Sequence, residues 1–131
     1  MSFTIDINKW TKKANGNTKL VVRKIVLDLY VKLVQKSPVD SGRFRGNWQV
    51  GINYPYTTQS SRIDNQPFGS APSSLIYTEA NEQTKKWDFN DSAIYLTNNL
   101  PYAYRLEMGY SKQAPQGIAR ISVMEIAGKY A

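Results

Sequence analysis

Cysteine and histidine are both missing from the 131 residues. Without cysteine there are no disulfides and no thiolate metal sites. Without histidine there is no Ser-His-Asp or Cys-His nucleophile system, no usual zinc site and no imidazole general base. A phosphate-cradling loop is missing too: Gly42-Arg43-Phe44-Arg45-Gly46 has neither the lysine nor the spacing of a P-loop. No apolar run approaches the roughly 20 residues of a membrane span. MSFTIDINKW shows no basic stretch followed by an apolar core, so synthesis and residence in the cytosol, or assembly there into something larger, are expected. Asn90-Asp91-Ser92 fits the glycosylation pattern and is read as chance. Carboxylate chemistry stays formally open through Glu79 with Glu82 and Asp88 with Asp91. A two-metal site needs several converging acids, whereas these pairs fall on an exposed helix and the turn after it. Solvated surface is the expectation for them. No catalytic residue, cofactor, metal or small-molecule substrate is expected, and the chain reads as a non-enzyme.

What the chain does have is positive charge, net +7. Its distribution is uneven: Lys and Arg outnumber acids ten to three over residues 1–45, and the remainder is balanced. A basic end can face nucleic acid or an acidic protein surface. Solvated, lysine-rich helix faces produce the same count.

The hydropathy pattern predicts a short first helix, capped by Thr4 or Asp6 and running to Ala14, then a break at Asn15-Gly16-Asn17. A longer helix is predicted from Thr18 to Lys36, stopped by Ser37-Pro38 because the residue before proline avoids helical geometry. It carries two apolar stripes. Val22, Ile25, Val26, Leu29 and Leu33 form one; Leu20, Leu27, Val31 and Val34 form the other. A surface helix needs one stripe, so two imply burial on two sides, the second by another helix of the chain or by a neighbouring subunit. Residues 43–54 alternate, with Phe44, Trp48, Val50 and Ile52 on one face and Arg43 and Arg45 on the other, which predicts a half-buried antiparallel strand with Trp48 in the core.

Residues 55–74 have no periodicity and form a long polar loop, either functional or disordered in the isolated chain. A helix over 75–87 with a Ser73 or Ser74 cap, a strand over 92–98, two helical turns from Tyr102 to Met108 ending at Gly109, and a last helix starting at Pro115 complete the reading. That last helix would carry Ile118, Ile121, Met124 and Ala127. The sum is a single α+β domain: a long N-terminal helix on a small antiparallel sheet, short C-terminal helices and a long polar loop. Nine tyrosines are present, and Tyr54, Tyr56, Tyr102, Tyr104 and Tyr110 fall in loops and at element ends, where exposed tyrosine favours protein interfaces.

Ser37-Pro38-Val39-Asp40-Ser41-Gly42-Arg43-Phe44, after a long helix, resembles the helix-to-strand joint of the tail-completion or neck (head–tail connector) proteins of tailed bacteriophages. So does the run Asn98-Asn99-Leu100-Pro101-Tyr102-Ala103, Leu106-Glu107-Met108-Gly109-Tyr110-Ser111 and Gln113-Ala114-Pro115-Gln116-Gly117. The resemblance covers roughly residues 18–127 in order. It departs at Met108, where a tyrosine is usual, and in the longer 55–88 segment. It implies a structural virion protein at the junction of capsid portal and tail tube, usually a homo-oligomeric ring, with portal-adaptor or tail proteins as partners and DNA passing through the lumen. A ring closed by heterologous contacts needs two different patches on each subunit. The stripe Leu20, Leu27, Val31 and Val34 is the first candidate. The second lies in loop 55–74, which carries Tyr56, or in the segment holding Tyr102, Tyr104 and Tyr110. Pro38, Asp40, Gly42, Arg43, Arg45, Trp48, Asn98, Glu107 and Gly109 are the motif positions. Arg43 and Arg45 would face the lumen, a neighbour, or Glu107 in a salt bridge. The alternative reading is a small basic nucleic-acid-binding protein.

Overall fold

Helix α1 spans Thr18–Lys36, the bounds its apolar spacing predicts. The computed structural model describes residues 2–4, 18–88 and 93–130. Ser37 ends α1 with more than its place before a proline. Its hydroxyl donates to the Leu33 carbonyl at 2.6 Å and accepts the Trp48 indole N–H at 2.8 Å. The helix terminus is thereby tied to the first residue of the strand that follows.

A single helical turn, α2 (Arg43–Gly46), precedes strand β2 (Trp48–Ile52). The predicted strand over 43–54 is therefore corrected at both ends. Positions four apart share a face in a strand and nearly so in a helix, so the pair Phe44 and Trp48 fits either. The structure takes the helical turn because Gly42, at φ 86, starts it and accepts the Gly46 N–H. At the other end Asn53 turns to φ 70, and Tyr54 leaves the sheet for solvent.

Helix α3 (Ser74–Lys85) and strand β3 (Ile94–Asn98) follow. Strand β1 (Ser2–Thr4) completes a three-stranded antiparallel sheet in the order β1-β3-β2, with Phe3 and Val50 both opposite Leu96. β1 corrects the expected helix start, because Thr4 pairs with Tyr95 in the sheet. Three residues are too few to show a periodicity. The rest of the expected first helix lies outside the described residues, as does Asp91.

The sheet and α1 enclose the core. Val22, Ile25, Val26, Leu29 and Leu33 meet Trp48, Val50, Ile94 and Leu96, all buried. Helices of the same chain take the flanks of α1. On one side the buried Tyr30 hydroxyl lies 3.4 Å from the Ile76 carbonyl of α3, and Arg23 donates to the Lys85 carbonyl at 2.6 Å. On the other lies the last helix, which follows the short α4 (Ala103–Glu107). α5 spans Ala119–Tyr130 and runs antiparallel to α1. Glu125 accepts Lys32 at 3.0 Å and Lys36 at 2.9 Å, and Asp28 accepts Lys129 at 2.9 Å and the Tyr130 hydroxyl.

The last helix differs from its prediction. Pro115 and Gln116 form a turn, Gly117 stands at φ 93, and helical geometry begins at Ala119. Its core face is Ile118, Ala119, Ser122 and Ile126, while Met124 is 65% exposed. The predicted face missed by about one position because a serine sits in the core. The Ser122 hydroxyl is satisfied by the Ile118 carbonyl at 2.7 Å.

The α1–α5 seam makes stability pH-dependent. Burial alone would raise the Asp28 carboxyl, but hydrogen bonds from Tyr130 and Lys129 outweigh it and hold it below its ordinary value. Hydrogen bonds from Lys36 and Lys32 hold Glu125 low as well. Carboxylates depressed in the folded state contribute stability above their unfolded pKa and lose it as pH falls through the folded value. Thermal unfolding followed by circular dichroism is expected to show Tm dropping between about pH 5 and pH 3. In the Asp28→Asn, Glu125→Gln double variant that drop is shallower. An equal drop in both proteins would assign the acid sensitivity elsewhere.

Candidate protein interface around the 37–47 joint

The two glycines that bracket α2 are there because another backbone lies on them. A Cβ on Gly42 would sit 2.4 Å from the Asp64 carbonyl oxygen, and one on Gly46 would sit 2.3 Å from that of Arg62. Loop 55–73 is thus laid across the joint and fastened to it. The Asp64 N–H donates to the Gly42 carbonyl at 2.9 Å, and the Ser60 N–H donates to Asn47 Oδ1 at 2.8 Å. Arg62 donates to the Gly46 carbonyl at 3.0 Å, to the Trp48 carbonyl at 2.6 Å and to the Glu79 carboxylate. Glu79 is therefore a strut between loop and α3 rather than a merely solvated acid.

Beneath this strap Arg45 and Asp64 are both wholly buried, 3.5 Å apart. Arg45 also donates to the carbonyls of Pro67 at 3.0 Å and Ala71 at 2.9 Å. Asp64 accepts the N–H groups of Ser73 at 2.9 Å and Gln66 at 3.3 Å. Ser73 stands at the cap position of α3 as predicted, but its side chain makes no capping bond. The loop is an ordered strap built around one buried ion pair. Arg45 cannot face a lumen or a neighbour. Arg43 points outward and donates to Gln59 Oε1 at 2.5 Å.

The second motif closes on the first. Asn98 Nδ2 donates to the Phe44 carbonyl at 2.9 Å, and Gln113 Oε1 accepts the Val39 N–H at 2.6 Å. The Phe44 ring meets Trp48 edge-on at 5.8 Å and Tyr102 at 6.2 Å. Pro38, Asp40 and Gly42 line a cleft of about 280 Å³ against Tyr102 and Leu106. Gly109, at φ 90, ends α4 as predicted.

Glu107 does not pair with Arg43. Its carboxylate accepts the N–H groups of Ile118 at 3.0 Å, Ala119 at 2.7 Å and Arg120 at 3.1 Å, capping α5 from a distance in sequence. A carboxylate there satisfies orphan amides and meets the positive end of the helix. Glu107→Ala is expected to lower stability by about 1–3 kcal/mol, the cost of orphaned amides. Arg43→Ala, at an exposed contact, should stay within about 0.5 kcal/mol. A charge swap of the two residues should rescue nothing in urea titration; rescue would restore the salt bridge between them.

The stripe assigned to a neighbour breaks up. Val34 is fully buried and belongs to the core, whereas Leu27 and Val31 are half-buried and Leu20 is 59% exposed. Leu27 packs against the edge of the core, and Leu20 is left toward solvent. Tyr102, Tyr104 and Tyr110 are exposed together around α4. Tyr56 is exposed but lies apart, in a cleft of about 210 Å³ between the strap, β2 and α3.

Among the described residues no cluster of acids could hold a metal ion, and no helix is long and apolar enough to cross a membrane. Asp64 and Arg62, which organise the strap, had no sequence signal of their own. The hint lay in the paired glycines of Gly42-Arg43-Phe44-Arg45-Gly46, small residues flanking a turn that a second backbone covers. No protein-family model, curated protein or solved structure matches the chain significantly.

Proposed function

We propose that the chain is a structural protein of a tailed-phage neck, completing or joining the tail at the head–tail junction through protein–protein contacts. One observation carries the reading. The two motif segments that resemble the neck family, 37–44 and 98–117, brace each other through Asn98, Gln113, Phe44 and Tyr102. The resemblance therefore rests on residues that build a shared frame, with their polar groups spent on backbone contacts. In a ring, the ridge of Leu20, Leu27 and Val31 is one contact patch and loop 55–74 with Tyr56 is the other, two different surfaces as heterologous closure requires, while the tyrosines around α4 face a different partner protein. Deleting the gene from the phage genome that encodes it is expected to leave heads and tails unjoined under the electron microscope. Normal infectious particles would remove the proposal.

The nucleic-acid reading keeps one supporting observation. The chain carries a net charge of +7, a positive excess that pairing of Asp28, Asp64, Glu79, Asp88 and Glu125 with basic partners leaves unchanged. That reading predicts DNA retardation with steep salt dependence. The neck reading predicts weak, non-specific retardation.

A further inference from the structure

We infer that the outer face of α4, with the loop after it, docks an acidic protein segment that carries apolar anchor residues. The inference deepens the proposed function by naming the chemistry of a partner, and rests on it only in taking that partner to be a protein.

Composition comes first. Tyr104 is 66%, Met108 54% and Tyr110 76% exposed on this one short segment, with Tyr102 beside them. Tyrosine, methionine and arginine are the residues that interfaces concentrate. Arg105 is held over the Tyr110 ring at 5.7 Å, so its guanidinium is already oriented toward solvent chemistry.

Charge comes second. Arg43, Arg105 and Lys112 have no carboxylate within ion-pair distance among the described residues. Glu107, the segment's own acid, is consumed by the N-terminus of α5. Asp40 alone borders the cleft as a counter-charge. The segment is thus positive and aromatic, and two of its residues, Tyr102 and Leu106, line the 280 Å³ cleft with Phe44, where an apolar side chain can seat.

These features choose among occupants. A second copy brings the same net +7 charge and is repelled at this face. A nucleic-acid strand needs a continuous cationic track, and here Arg43 is the one cation lining the cleft, with Arg105 and Lys112 on the neighbouring segment. An acidic peptide with an anchor satisfies both the charge and the cavity.

The test uses fluorescence anisotropy on the full chain at low salt. Its three labelled probes have equal charge: a peptide mixing glutamate with phenylalanine and leucine, a polyglutamate peptide, and oligo-dT. The mixed peptide is expected to bind at least about tenfold more tightly than either of the others, a difference of roughly 1.4 kcal/mol. The Tyr104→Ser, Arg105→Gln, Tyr110→Ser variant, altered only at exposed side chains, should weaken it at least tenfold. Lys85→Gln with Lys86→Gln, at the end of α3, should change it less than twofold. Equal binding of polyglutamate would reduce the face to bulk charge. Oligo-dT binding that is lost in the triple variant would make it a nucleic-acid surface, and self-association lost in that variant would make it a homotypic contact. Each of these overturns the inference. Peptide binding by a chain that proves absent from virions would sink the neck assignment and leave the docking face standing.

Discussion

Replacing Asp64 by alanine lowers the unfolding free energy by about 3–5 kcal/mol, the range for breaking a buried ion pair on one side. Asp64 and Arg45 have no exposed side-chain surface. Once the carboxylate is gone, a full positive charge remains in the core beside the carbonyls of Pro67 and Ala71. Those carbonyls solvate it but do not neutralise it. The Ser73 and Gln66 amides lose their acceptor in the same step. The Arg45 Nε, already buried with no hydrogen-bond partner, leaves no slack for rearrangement. Urea titration measures the effect as a shift of midpoint at unchanged slope. Limited proteolysis should show new cleavage within 55–73 in the variant. A loss under about 1 kcal/mol, typical of an exposed pair, would mean that the strap is not anchored there.

A methyl group on Gly42 produces the second large effect. Gly42→Ala is expected to combine about 1–2 kcal/mol for left-handed backbone with about 1–3 kcal/mol for overpacking. The contact is with backbone at 2.4 Å, so no side chain can swing aside. Gly69 and Gly46 separate the two contributions. Gly69 has φ 88 and open space around its Cα, so Gly69→Ala should show the backbone cost alone. Gly46 has no positive φ, but a Cβ there would sit 2.3 Å from the Arg62 carbonyl oxygen, so Gly46→Ala should show the packing cost alone. If Gly42→Ala and Gly69→Ala prove equally mild, the strap does not rest on the joint.

Much of the frame was legible where a single physical signal dominated. The bounds of α1 follow from three-and-four spacing closed by Ser37-Pro38, and β3 and the burial of Trp48 follow from alternation. The stop of α4 at Gly109 follows from the need for a left-handed residue there. Legibility failed where two signals coincide or where the partner is distant. Phe44 and Trp48 suit a strand and a helical turn equally. Pro115 is a sound helix starter, yet the helix begins four residues later, because Glu107 draws the amides of 118–120 onto its carboxylate. The strap has no period because its order comes from Asp64, Arg62 and Asn47, side chains that bond to backbone rather than pack by face. Of the interface candidates, Val34 was lost to the core, while Tyr102, Tyr104 and Tyr110 stayed at the surface as their positions suggested.

Tyr104 and Tyr110 remain exposed at the surface, and the proposed neck role turns on where the chain resides. Its location decides the matter. Gold-labelled antibody against the chain, imaged on intact particles made by the genome that encodes it, should mark the junction between head and tail. Unlabelled particles, with the chain recovered in the soluble fraction of the host lysate, would contradict the account.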